Sequence, residues 1–233
     1  MLLSRHIFMT KQDFLEKFYL SITGKGNIAW QSKLKEINQL GIEEAAVFLT
    51  QFEPKERENF YRFLLKSSIK NVPLVHIRDD VDKSEIDFFI KNFKTEYFNI
   101  HEDHFDILDK WKNYWEKLYL EMNYDDAINR NVKVEKIGGF CVDLAHFKSA
   151  VARGSAEAYY IFLRKNKTKI LCNHLSGYSE KENCDLHDAA GVKDFDYLKT
   201  LPKYIYGKVI AFEINNSIKD QLKFKKYIVN LFD

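Results

Sequence analysis

Short apolar runs alternate with longer amphipathic stretches along the whole chain. The runs are Ser4–Met9, Ala45–Thr50, Pro73–His76, Tyr97–His101, Leu118–Glu121, Phe140–Asp143, Ile170–His174 and Val209–Glu213. Each has four to six residues, the length of a strand and too short for a stable helix. Most are near-continuously apolar, as expected of strands covered on both faces. Between them lie stretches with apolar residues three and four apart, the spacing of a one-faced helix. These are Lys11–Ile22, Ile28–Leu40, Pro54–Ser68, Lys83–Phe93, Phe105–Trp115, Phe147–Arg164, Phe195–Leu201 and Ile218–Phe232.

Eight strand–helix units in 233 residues predict an α/β fold, a compact (β/α)₈ TIM barrel. The alternative is an open doubly wound sheet, which uses the same units. Only 3 prolines and 9 glycines are present, and no Gly/Ser/Pro-rich stretch suggests a linker. The expectation is one barrel domain over residues 1–233. With 45% hydrophobic and 15% aromatic residues, the chain can bury a large core.

The apolar runs end in polar residues of one chemical kind. In chain order these are His76, His101, Glu121, Asp143 with His146, His174 and Glu213, with Asp185 and His187 in a polar loop between the last two. In a strand every second residue shares a face. Leu74, Asn99, Tyr119, Cys141, Cys172 and Ala211 therefore share faces with these strand-end residues, and all but Asn99 are apolar or weakly polar. Each strand is expected to send packing residues into the barrel and one polar group to its C-terminal end, where such barrels carry their active sites. Imidazole and carboxylate donors without a thiolate set suit zinc, manganese or iron. A carboxylate can bridge two ions, and a pair of metals can clamp the attacking and leaving oxygens of a phosphoester.

Other classes find little support. A formal net charge of +2 gives no basic excess of the kind nucleic-acid binders usually show. Three widely spaced cysteines, Cys141, Cys172 and Cys184, read as reduced thiols. The start of the chain has no long apolar h-region, and no run approaches a membrane span, so a cytoplasmic protein without a membrane partner is expected. There is no GxGxxG, no Walker A sequence and no GxSxG elbow. His104, one turn beyond His101, is expected to face solvent or cap a helix. His6 is expected to be structural, and Asp79, Asp80, Glu102 and Asp103 to be rim charges.

In its residues VDLAHF, ILCNHLSG, CDLHDAAG and IAFEIN, the chain resembles the xylose isomerase-like TIM-barrel superfamily, and within it the endonuclease IV family of AP endonucleases. The resemblance follows ligand order over the whole barrel and is strongest from Phe140 to Asn216. It implies three groups: His76, His101 and Glu121; Glu121, Asp143, His174 and Glu213; and His146, Asp185 and His187. Two or three divalent ions would be held there, zinc most readily, with manganese or iron as alternatives. The implied activity is hydrolysis of a phosphoester by a metal-bound hydroxide, with damaged (abasic-site) DNA or a small phosphoester as substrate. The sequence departs from that family at HIRDD after the third-strand His, and at Met122, where the family usually has Asn.

Two other resemblances imply other chemistry. Sugar isomerases and epimerases of the superfamily hold one ion with a set that Glu121, Asp143, His174 and Glu213 match; Glu121 and Glu213 would then be catalytic, passing a proton between adjacent sugar carbons. The HLSG, DLHD and EINNSI segments also resemble multinuclear non-haem iron oxidases.

Overall fold

The computed structural model describes residues 15–24 and 29–232. Its strands are β1 (Phe18–Tyr19), β2 (Ser21–Thr23), β3 (Ala46–Phe48), β4 (Leu74–His76), β5 (Tyr97–His101), β6 (Leu118–Glu121), β7 (Gly139–Asp143), β8 (Ile170–Leu175), β9 (Gly177–Ser179), β10 (Cys184–Leu186) and β11 (Val209–Phe212). Nine of them form one parallel sheet in the order β1-β11-β8-β7-β6-β5-β4-β3-β2. The two ends of that order, β1 and β2, are separated in the chain by Leu20 alone. They are two halves of one strand, the first paired with β11 and the second with β3, so eight staves close into a barrel. The fold is the α/β TIM barrel the alternation predicts. The hairpin β9–β10 stands outside the ring.

Among the described residues, six complete α-helices accompany the strands: α1 (Trp30–Leu40), α2 (Pro54–Leu64), α3 (Lys83–Phe93), α4 (Leu144–Arg153), α5 (Ala156–Arg164) and α6 (Ile218–Asn230). Their limits follow local chemistry. Pro54 opens α2 and Asp82 with Glu85 forms a capping box on α3. Ser155 and Ser217 cap α5 and α6. Gly41 and Gly154 end α1 and α4 with φ of 63° and 68°. None of these helices is long and apolar enough to cross a membrane.

Four sequence expectations need correction, one of them the helix at Phe195–Leu201, which lies in a 3-10 segment, Val192–Thr200. In the stretch expected as the helix Lys11–Ile22, residues 15–17 are helical but 18–19 and 21–23 are strand. Leu15, Phe18 and Ile22 satisfy a three-and-four spacing, but Phe18, Leu20 and Ile22 also alternate, and sheet pairing selects the period of two. The strand expected at Ser4–Met9, with His6, lies outside the described residues. The helix expected at Phe105–Trp115 is a 3-10 segment, Glu102–Lys117, interrupted at Trp111. There the buried Trp111 indole N–H donates to the Val81 carbonyl at 3.0 Å, fixing the ring where a regular helix cannot continue. Phe147–Arg164 is two helices, because Gly154 stops one and Ser155 starts the next.

Inside the ring, Ala46, Phe48, Leu74, Tyr119, Cys141, Cys172, Val209 and Ala211 pack as one cluster. The larger apolar layer lies between strands and helices and includes Phe18, Ile22, Phe98, Phe140 and Phe212. Small residues from some strands leave room for Phe48 and Tyr119 from others, the usual way a narrow barrel fills its interior. Closure has a polar seam. The Ser21 N–H donates to Gln221 Oε1 (2.8 Å), and Gln221 Nε2 donates to the Ser21 carbonyl (3.1 Å). Gln221, fully buried on α6, thus gives Ser21 the two bonds a neighbouring strand would supply.

Gln221→Leu should leave both backbone groups buried and unpaired, at roughly 1–3 kcal/mol each. A fall in melting temperature of roughly 5–15 °C is expected for a chain of this length, read by circular dichroism. A fall below about 2 °C would show that the seam is not needed.

Candidate metal centre

Strand order and register assemble the site. In the sheet pairing His101 lies beside Glu121, and Asp143 beside His174. His76 is beside Asn99, one stave from Glu121. All are at the C-terminal ends of their strands, and Glu213 follows β11 directly. A ring of residues one per strand thus converges on the barrel axis. His174 Nδ1 lies 3.1 Å from Glu121 Oε1 and 2.9 Å from Glu213 Oε2. His76 Nε2 is 3.4 Å from Glu121 Oε2, and its Nδ1 is 3.8 Å from Glu213 Oε1. The His76 ring lies 4.8 Å from those of His101 and His174. Phe48, inside the barrel, forms the floor, with its ring 4.8 Å from that of His174.

Three residues come from outside the ring of strand ends. His146 is in the first turn of α4, whose N-cap is Asp143; Asp143 Oδ1 accepts the His146 N–H at 2.7 Å. Asp185 and His187 arrive on and after β10, carried by the hairpin. His187 Nδ1 lies 2.8 Å from the Glu213 carbonyl, which makes Nδ1 the protonated nitrogen and leaves Nε2 facing Asp185 at 3.1 Å. His146 Nε2 is 3.7 Å from Asp185 on the other side.

The donor atoms fall into compact groups, each with all its atoms within 4.8 Å of one another. They are His76, His101 and Glu121; Glu121, Asp143, His174 and Glu213; and His146, Asp185 and His187. Glu121 belongs to two of them. A further grouping joins His76, His174 and Glu213. All nine residues singled out in the sequence therefore stand together at one mouth.

Burial sets their electrostatics. Burial opposes charge on Glu121, but His174, His101 and His76 around it hold its carboxyl down to about 2. Glu213 is likewise held well below the ordinary carboxylate range, against burial, by His174 and His76. Asp143 goes the other way: burial, helped by Glu213 and Glu121 and only partly countered by His146, raises it to about 6. Burial pushes the His101 imidazole down, whereas for His146 and His187 the surrounding carboxylates outweigh burial and raise it.

The fit to metal rests on unmet bonding. His76 Nδ1 and Nε2, His174 Nε2 and Asp143 Oδ2 are buried without a hydrogen-bond partner. Buried polar atoms normally have one. Here four such donor atoms converge among carboxylates, and divalent metal binding would satisfy them. Nitrogen and oxygen donors without thiolate suit zinc, manganese or iron.

Several further residues shape the site, and some lie elsewhere than the sequence predicts. Asn99 Nδ2 donates to Glu121 Oε2 at 2.8 Å, orienting the shared carboxylate. Its signal was its being the one strongly polar residue on an inner face. Tyr124, buried with its hydroxyl unpartnered, stacks on His146 at 5.3 Å and 10°. His104 does not face solvent; it is half-buried, with its ring 6.2 Å from His101 and 6.3 Å from Trp111. Glu102 is not a rim charge but buried. Asp80 pairs with Arg57 (3.0 Å) and Arg78 (3.4 Å), while Asp79 is exposed.

No protein-family profile matches the chain, and no curated protein is significantly similar in sequence. Solved structures do match. A D-tagatose 3-epimerase-like protein superposes with a TM-score of 0.51 at 12% identity, covering 91% of this chain and 96% of its own. A xylose isomerase domain protein from Planctomyces limnophilus gives 0.48 at 10% identity, covering 93% and 96%. SacUVDE gives 0.40 at 12%, covering 86% and 84%. The likeness to the D-tagatose 3-epimerase-like protein is one of fold, an α/β TIM barrel.

In metal-free protein, Glu121 and Glu213 contribute stability that is present above the unfolded carboxylate value of about 4.5 and is lost as pH falls through their depressed folded values. Asp143, raised to about 6, acts oppositely and lowers stability as pH rises from about 4 to 6. Urea titrations in chelator should show acid destabilisation below pH 4.5 that Glu121→Gln reduces. An unchanged acid limb in that variant would contradict the assignment.

Proposed function

We propose that the chain is a metal-dependent hydrolase that binds two or three divalent ions, zinc most readily, and cleaves a phosphoester. The observation that carries this reading is the third donor group, His146, Asp185 and His187, beside two groups that share Glu121. A one-ion site has no use for it. Divalent ions held by these groups would supply Lewis acidity toward the charged oxygens of a phosphoester.

The protein's own residues would do the rest. Asn99 fixes the Glu121 carboxylate so that both of its oxygens face donor groups on either side. Glu213 is 14% exposed against 4% for Glu121, so it is the strand-end carboxylate that meets substrate and water in the mouth. We assign Glu121 and Glu213 to the catalytic step, as the carboxylates that orient the reacting oxygen. The Glu213 carbonyl and Asp185 hold the His187 ring between them. Damaged DNA and small phosphoesters are the substrates we propose, and a cytoplasmic setting fits this chemistry.

A second reading has its own support. Glu121, Asp143, His174 and Glu213 form a compact four-donor set sufficient for one ion. In a sugar isomerase or epimerase, Glu121 and Glu213 would pass a proton between adjacent carbons across that ion. A multinuclear iron oxidase would use all three groups.

Metal analysis of purified protein separates these readings. Two or three zinc ions with cleavage of bis(p-nitrophenyl) phosphate or abasic-site DNA supports the hydrolase. One manganese or magnesium ion with activity on a ketose supports the isomerase, and iron with oxygen consumption the oxidase. In the hydrolase, His187→Ala should lose one ion and about 100-fold or more of the activity, the scale of a lost metal contact. An unchanged metal count in that variant would sink the multinuclear reading.

A further inference from the structure

A second group of carboxylates, sharing no residue with the donor groups of the mouth, flanks it. Glu102, Asp125 and Glu157 each bring an oxygen within 4.8 Å of the others. Glu102 follows β5, Asp125 is in the turn after β6, and Glu157 is in the first turn of α5. Glu157 is fully buried, and its oxygens accept the N–H groups of Asp125 (3.2 Å) and Asp126 (2.9 Å). Glu102 is only 1% exposed, and its Oε2 is buried with no hydrogen-bond partner. Arg153 pairs with Asp126 and Arg164 with Glu135, and among the described residues no basic side chain pairs with the three carboxylates.

Two buried carboxylates so close cannot both stay charged without a counter-charge. Either a proton or a cation must join them. The donors are all oxygen, the preference of hard cations, with neither imidazole nor thiolate to attract zinc. Two are fixed by a strand end and a helix, while Asp125 is exposed and gives a hydrated ion a way in. Carboxylates that can bind through one oxygen or two suit calcium better than magnesium, which keeps more of its water.

We propose that Glu102, Asp125 and Glu157 form a calcium-type cation site that fastens the turn after β6 to α5. That turn contains Tyr124 and Asp126 with left-handed φ of 57° and 66°, a conformation uncommon for a bulky residue such as tyrosine. It also carries the ring stacked on His146. The site therefore supports one wall of the mouth from outside. Its existence does not depend on what the mouth binds or catalyses.

The test is calcium titration of the protein with its mouth metals left in place, followed by calorimetry and thermal melting. The wild type should bind one calcium ion and gain roughly 5–10 °C at a hundredfold excess over Kd. Glu102→Gln should abolish both. If that variant fails to fold, Asp125→Asn, on the exposed turn, should show the same loss. His187→Ala should keep the calcium response; losing it would put the ion in the mouth and overturn the proposal. So would a wild type with no response up to roughly 10 mM, beyond the weak limit of calcium modules. A Glu102→Gln protein that folds and keeps the wild-type calcium response would place the ion elsewhere and also overturn the proposal.

Discussion

Four titratable side chains, His76, His174, Glu121 and Asp143, are almost completely removed from water at the mouth of this barrel. Everything else at the C-terminal ends of the strands is organised around that constraint. A buried charge is strongly unfavourable unless compensated, and removing one partner of a buried pair costs about 3–5 kcal/mol. Compensation here is mutual and geometric. Two carboxylates flank His174 within 3.1 Å, and the shared Glu121 reaches both His76 and His174. That arrangement requires neighbouring strands to end in register, as His101 beside Glu121 and Asp143 beside His174 do. A slip of one residue would turn these groups to the apolar layer behind the sheet.

The same constraint reaches the place where the barrel closes. The strand that completes the ring is divided into β1 and β2 and borrows bonds from Gln221. Beside it, Lys33 is buried with its Nζ on Thr23 Oγ1 (2.7 Å) and the Ile214 carbonyl (3.1 Å). Burial lowers this ammonium to about 8, against the pull of Asp188 and Glu36. Ile214 follows Glu213, so the lysine fixes the segment that presents Glu213 to the mouth. Closure of the fold and placement of the last strand-end carboxylate are one problem, solved by polar side chains from α1 and α6.

Much of this was legible in the sequence because strands of a parallel barrel carry two messages at once. A continuous apolar run marks the strand, and the polar residue that stops it marks the mouth. Leu74, Cys141, Cys172 and Ala211 read correctly as interior because alternation is fixed by backbone geometry. Residues 18–23 fit both the helical and the strand period, and only their pairing partners decide for strand. Glu102 and Gln221 were illegible for a different reason. A charged or amide residue in a helical or loop segment looks solvated, and its burial depends on what packs over it. In Glu102 that is α5, some fifty residues later in the chain.

The donor groups also differ in what holds them. Strand-borne His76, His174, Glu121 and Asp143 cannot be altered without disturbing the core beneath them. His146 and His187, by contrast, are 36% and 37% exposed and sit on a helix start and past a hairpin. Their ties to the barrel are few: the Asp143 cap, the Glu213 carbonyl and the stacked Tyr124. A barrel of this kind can therefore keep one ligand set as a consequence of its architecture while a short hairpin adds or omits another. On the reading proposed above, the chemistry at the mouth would then be set less by the strands that define the fold than by about ten residues of β9 and β10 and the Asp185–His187 pair they deliver.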